Sequence, residues 1–162
     1  MRTGGVLALA ALALSGCGGA SSFLGSDSPT DTVRMFLEAA AARDGPTACG
    51  LLNGHGQQLM GAYGGTRERS CQQTVDRLGA LPHPDDWQEM ARGTICVYGT
   101  GGHDSQPIVV IYRRAGMRAT AAGSVQQNLG PGYRIMVPPT PVSPGAAPAG
   151  SPRCDRVSGG SS

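Results

Sequence analysis

Five cysteines are the residues of this 162-residue chain best suited to chemistry. A cysteine can form a disulfide, bind a metal as the thiolate, or carry an attached group. Because five is odd, at least one thiol must have a fate other than pairing within the chain. Cys17 stands apart near the amino terminus, and the other four follow at wide spacing: Cys49, Cys71, Cys96 and Cys154.

Cys17 is the last residue of the tetrapeptide Leu14-Ser15-Gly16-Cys17. At all four positions this tetrapeptide resembles the lipobox, which is the processing signal of bacterial lipoproteins. Arg2 and an apolar run from Val6 to Leu14 precede it, as in a secretory signal. That run cannot cross a bilayer, which takes about 20 helical residues. We therefore expect cleavage before Cys17, which becomes the lipid-bearing first residue. The alternatives are an ordinary signal with a chance cysteine, or a short buried helix.

Acyl chains on Cys17 predict a protein held at the extracytoplasmic face of the cell membrane, since each buried methylene contributes about 0.8 kcal/mol. Outside the cytoplasm, the four remaining cysteines are expected to form disulfides, and three pairings are open. We favour Cys49 with Cys71, because both fall on apolar faces of predicted helices. Cys96 with Cys154 is then the default pair.

A zinc or copper site is the competing interpretation of the same residues. It would draw on Cys49, His55, Cys71 and His83, but these positions have neither the CxxC nor the HxxxH spacing of a metal site. We expect no metal and no cofactor.

The first half of the chain is predicted to be helical, and these helices position Cys49 and Cys71. Ser28 and Pro29 form a helix start, and an apolar stripe follows at helical spacing. Its members are Val33, Phe36, Leu37, Ala40 and Ala41. Shorter helices are predicted over Pro46–Leu52 and Gln57–Tyr63, and a fourth, carrying Cys71, is predicted to be capped by Thr66.

The second half changes to β-branched and aromatic runs separated by glycines, which predicts antiparallel strands. The runs are Thr94–Tyr98, Pro107–Arg113, Met117–Ala122 and Tyr133–Val137, and Val125–Leu129 fits no clear strand. The predicted fold is α+β, with helices packed on a curved sheet of about four strands. The predicted divisions are a leader (1–16), a flexible tether (17–27), one domain (28–138) and a disordered tail rich in Pro, Gly and Ser (139–162).

A family resemblance rests on short motifs between Pro29 and Val137. They are Thr32-Val33, Phe36-Leu37, Arg43-Asp44-Gly45, Ala48-Cys49, Leu51-Leu52, Ser70-Cys71 and Gly132-Tyr133-Arg134-Ile135. The pattern resembles small exported lipoproteins of high-GC Gram-positive bacteria with a nuclear-transport-factor-2-like domain. The resemblance implies a cone of curved sheet around a pocket. Enzymes of that fold place Asp or His side chains in the pocket, where burial tunes their pKa.

The sequence offers only weak candidates for an Asp or His side chain that acts in a pocket. His103 and Asp104 adjoin each other in a Gly-rich connection and are predicted to form a turn, while Glu38 and Asp76 are predicted to be solvated on helices. Trp87 is expected to be a core anchor instead of a ligand-stacking residue. Arg113-Arg114 could meet lipid head groups, but two charges at a strand end are usually solvated. We predict no catalytic residue.

A net charge of +2 lacks the basic stripe that nucleic-acid binding needs. The expected partners are the membrane, through the anchor, and a small apolar ligand or an envelope protein. The function predicted is that of a non-catalytic binding module. The alternative is a cone-fold enzyme, isomerase-like or hydrolase-like, that uses His103 or a helix carboxylate.

Overall fold

The structure, a computed structural model, describes residues 25–63, 65, 69–80, 83–99, 105–128, 132–143, 150 and 152–155. The lipobox residues 14–17 and the candidates His103 and Asp104 lie outside the described residues. The helices are α1 (Pro29–Ala41), α2 (Gly45–Gly50), α3 (Gly54–Ala62), α4 (Cys71–Asp76) and α5 (Asp86–Ala91), with a 3-10 turn at Leu78–Ala80. The strands are β1 (Thr94–Tyr98), β2 (Gln106–Arg114), β3 (Met117–Gln127), β4 (Tyr133–Val142) and β5 (Pro152–Cys154).

Helix α1 begins as its sequence predicts. The Ser28 hydroxyl oxygen accepts a hydrogen bond from the backbone N–H of Asp31 (3.3 Å), and Pro29 occupies the first turn. The apolar stripe of α1 is buried, with Val33, Phe36 and Leu37 fully excluded from solvent. This stripe supplies the helical side of the core.

Two helices differ from the prediction. Helix α4 begins at Cys71, so Thr66 is not its cap; the Ser70 hydroxyl accepts from the N–H of Gln73, and the Gln73 side chain accepts from the N–H of Ser70. This reciprocal capping box satisfies two otherwise unpaired donors. Helix α5 was not predicted, because its six residues are too short to show a helical period.

The five strands form one antiparallel sheet in the order β4-β3-β2-β1-β5, which confirms the α+β fold class with one strand more than expected. Strands β2 and β3 form a long hairpin whose register runs from Gln106↔Val125 to Arg114↔Met117. Strand β3 continues past the predicted end at Ala122 to Gln127, in unbroken register with β2 as far as Val125, while its register with β4 shifts between Ala122 and Val125. Gly123 and Ser124 lack the β-branched or aromatic side chains of the predicted runs, so the rest of the strand shows no clear sequence pattern.

The expectation of a disordered tail from residue 139 was wrong for 139–142 and 152–154. Strand β4 runs on to Val142 although it contains three prolines, which are tolerated because β4 is the edge strand of the sheet. Strand β5 pairs with β1 at the opposite edge, where the register is Cys96↔Cys154 to Tyr98↔Pro152. The folded domain therefore extends beyond the predicted boundary at 138.

The core lies between the helices and one face of the sheet. Trp87 anchors it as predicted: its ring is 2% exposed and meets Phe36 and Tyr63 edge-on, with centroids 6.1 and 5.7 Å away. The chain after α2 also joins the edge strand directly, since Ile135 donates to the carbonyl of Leu51 and its own carbonyl accepts from Asn53, both at 3.0 Å. No helix within the described ranges is long and apolar enough to cross a membrane.

Candidate functional site

Two disulfides join the pairs that the sequence analysis favoured. Cys49–Cys71 links α2 to the first residue of α4, with both residues buried and their Cα atoms 6.0 Å apart. Cys96–Cys154 links β1 to β5 across the sheet register, with a Cα separation of 4.0 Å. Cys96 is 2% exposed, whereas Cys154 lies on the surface.

These bonds remove the basis for the alternative metal site. The sulfur atoms of Cys49 and Cys71 are bonded to each other, so neither is available as a thiolate ligand. His55 and His83, the other two candidates, are exposed. Nowhere in the described ranges do three or more His, Cys, Asp or Glu side chains group as a metal site would require.

An ion pair with a buried carboxylate and a half-buried guanidinium joins α5 to β2. Asp86, in the first turn of α5, is 6% exposed, and its carboxylate accepts from Nε of Arg114 at 2.9 Å and from Nη2 of the same guanidinium. The hydrogen bonding of the Arg114 guanidinium to the Asp86 carboxylate is the main cause that raises the pKa of Arg114 above its ordinary value. The prediction that Arg114 is a solvated charge was therefore wrong.

The ion pair could have been found by strand alternation. Ile108, Val110 and Tyr112 point into the core from β2, and Arg114 continues the same two-residue series. A charge at the end of a buried series needs a buried partner, and a carboxylate beside Trp87 was available. Arg113 and Arg114 are neighbours in the sequence, but their side chains leave opposite faces of β2, so the expectation that both are solvated holds for Arg113 alone.

Two tyrosines surround this ion pair. Burial raises the pKa of Tyr112 and of Tyr63 above the ordinary value, with the negative charge of Asp86 adding to the effect and Arg114 opposing it. The guanidinium carbon of Arg114 lies 5.9 Å from the centroid of the Tyr112 ring. The Tyr112 hydroxyl is buried without a hydrogen-bond partner among the described residues. The environment of the cluster therefore favours the neutral form of both tyrosines over the charged form.

A cleft of about 510 Å³ opens where α5 meets the turn end of the β2–β3 hairpin. We call it the arginine cleft, because three guanidinium groups and one carboxylate line it. Its lining residues are Glu89, Arg92, Gly93, Thr94, Ile111, Tyr112, Arg113 and Arg118.

The walls of the arginine cleft are fixed by short backbone contacts. Arg34 of α1 donates to the carbonyls of Ala91 (2.7 Å) and Gly93 (3.2 Å), which satisfies acceptors at the end of α5. Gly93 lies so close to β2 that a Cβ atom there would be 2.6 Å from the carbonyl oxygen of Ile111. Only glycine permits this approach, so the α5–β1 turn is held against β2.

The guanidinium groups of the cleft differ in their partners. Arg92 pairs with Glu89 at 3.3 Å on the exposed surface of α5. Arg113 donates to the carbonyl of Gly116 at 3.2 Å, and no carboxylate among the described residues lies within ion-pair distance of Arg113 or Arg118. The cleft therefore carries an excess of positive charge.

The helix carboxylates considered from sequence do not enter this cleft. Glu38 is exposed and borders a second cleft of about 400 Å³, with Ala41, Ala42, Gln88, Ala91 and Arg92 as its other lining residues. Asp76 is exposed at the end of α4. The structure therefore brings neither residue together with Asp86.

Comparisons of the chain with known protein families, with curated proteins and with solved structures gave no match. The resemblance to nuclear-transport-factor-2-like lipoproteins stays a prediction from sequence.

Proposed function

We propose that this chain is an exported lipoprotein, anchored to the membrane through Cys17, whose α+β domain is a non-catalytic binding module. One observation supports the lipid anchor. The two disulfides use all four of the other cysteines, which leaves Cys17 without a pairing partner in the chain. The odd thiol is thus the one at the acceptor position of the lipobox-like tetrapeptide.

The disulfides also support an extracytoplasmic location for the domain. Structural disulfides persist in oxidising compartments and are rare in the cytosol. Cys49–Cys71 constrains the helical layer of a small domain, and such domains gain most from cross-links. Export and lipidation together explain the fate of every cysteine in the sequence.

The arginine cleft supports recognition of a small ligand or an envelope protein. It is a concave surface of a size that suits a small molecule, and rigid contacts of Arg34 and Gly93 shape it in advance. A non-catalytic role is favoured because Asp86, the buried carboxylate of the described part, is already paired with Arg114. A general base must be free to take a proton.

Labelling with a radioactive fatty acid in a bacterial host with lipoprotein processing tests the anchor. The full chain is expected to incorporate the label, and Cys17→Ala is expected to incorporate none because the acceptor sulfur is gone. Ser21→Ala is the matched control, since it changes a nearby small residue outside the tetrapeptide and should label like the natural chain. Equal labelling of Cys17→Ala and the natural chain would refute the proposal.

A further inference from the structure

Two arginines that line the arginine cleft lie directly opposite each other in the β2–β3 hairpin. Arg113 and Arg118 are Cα partners in the β2–β3 hairpin, so their side chains leave the same face of the sheet with Cβ atoms about 5 Å apart. The hairpin closes tightly after them, with φ of 49° at Ala115 and 80° at Gly116. The short turn fixes the register and therefore the spacing of the two side chains.

This arrangement is unfavourable without a ligand. Like charges directly opposite each other destabilise a strand pair, and no described carboxylate compensates either arginine. Arg92, which also lines the cleft, adds a third guanidinium, and because its side chain is 72% exposed its ion pair with Glu89 is weak. The cleft offers several N–H donors and net positive charge to a group with several oxygen atoms.

The amino-terminal segment meets the domain far from the arginine cleft. Ser26, where the described chain begins its contact with the domain, accepts a hydrogen bond from the N–H of Tyr133 at 2.9 Å. Tyr133 pairs with Gln127, at the opposite end of β3 from Arg118. The nine residue steps from Arg118 to Gln127 span roughly 30 Å at the usual rise per residue. The chain therefore enters the domain at the end of the sheet remote from the cleft.

We propose that the arginine cleft binds a phosphate group, held between Arg113 and Arg118 and reached by Arg92. This inference rests on the proposed binding function and names its ligand class. A phosphate monoester matches the cleft because its dianionic charge balances two guanidinium groups that have no carboxylate partner among the described residues, and its oxygens can accept from both. The group can belong to a soluble phosphate ester or to a phospholipid head group.

Calorimetric titration of the purified full chain in neutral detergent with glycerol 1-phosphate tests the assignment. We expect saturable binding to the natural chain, weakened at least about tenfold in Arg113→Gln/Arg118→Gln, because two charge-assisted contacts are lost. Arg77→Gln removes the same charge from an exposed site at the end of α4 and should bind within about twofold of the natural chain. Guanidinium NMR signals of Arg113 and Arg118 should shift on titration.

Parallel titrations distinguish the sources of the phosphate group. Micelles doped with phosphatidic acid that displace glycerol 1-phosphate at lower concentration would assign the site to a lipid head group; weaker displacement would assign it to a soluble ester. No saturable binding of either probe, or equal weakening in Arg77→Gln, would overturn the phosphate site. Fatty-acid labelling of Cys17 is independent of these results, so failure of the site and failure of the anchor are distinguishable.

Discussion

Arg113 lies directly opposite Arg118 in the pairing of β2 with β3, two positively charged side chains on one face of a tight hairpin. Their repulsion should cost stability in the absence of a ligand. Arg118→Gln is therefore expected to raise the free energy of unfolding by about 0.5 kcal/mol, measured by urea denaturation without phosphate. Arg77→Gln should change the free energy of unfolding by less. A lower free energy of unfolding in Arg118→Gln would contradict repulsion between the two arginines.

The partly buried ion pair of Asp86 with Arg114 is expected to stabilise the contact of α5 with β2. Asp86→Asn leaves the guanidinium without its counter-charge, and because the Arg114 side chain is 35% exposed the loss is discounted to about 2 kcal/mol. Asp85→Asn is the control, since Asp85 is exposed and its side chain makes no capping hydrogen bond. Equal effects of the two substitutions in urea denaturation would exclude a specific role for the pair.

The two disulfides should differ in their resistance to reduction. Cys154 is exposed in the short edge strand β5, whereas Cys49 and Cys71 are both buried. A mild phosphine reductant should therefore open Cys96–Cys154 first, and alkylation followed by mass mapping should label Cys154 before Cys49. The opposite order would show that β5 protects its bond better than the helical layer does.

Alkaline pH should destabilise the domain through Tyr112, which is buried, and Tyr63, which is half-buried. Their folded-state pKa values lie above the ordinary 10.0, so the protonated hydroxyl is favoured on folding. The stabilisation is complete below pH 10 and is lost as the pH rises through the folded-state values. Tyr112→Phe should make the unfolding free energy less dependent on pH above 10, as followed by denaturation at stepped pH; an unchanged pH dependence would argue against this origin.

Local patterns in the sequence predicted much of the fold. The stripe of α1 and the bounds of β1 required only a helical period, a cap and a run of β-branched residues. The elements that were not predicted are too short to show a sequence period. Helix α5 has six residues, and β5 has three residues held by its pairing with β1 and by a disulfide. These elements exist because of tertiary contacts.

The candidate site was harder to predict for a related reason. The sequence shows Arg113-Arg114 as neighbours, but the strand sends Arg114 to Asp86 in the core and Arg113 to the opposite face beside Arg118. Arg92 joins the cleft only because Gly93 brings the end of α5 onto β2. The cysteines were easier, since counting five thiols and assigning one to lipid left a set that could pair completely.

Intact-mass analysis of the protein purified from membranes tests the central claim most directly. The lipoprotein proposal predicts one species that begins at Cys17 and carries fatty acyl groups on that residue. It also predicts two disulfides, so that reduction followed by alkylation modifies four thiols. A chain that begins at any other residue, or one that begins at Cys17 with an unmodified thiol, would contradict it.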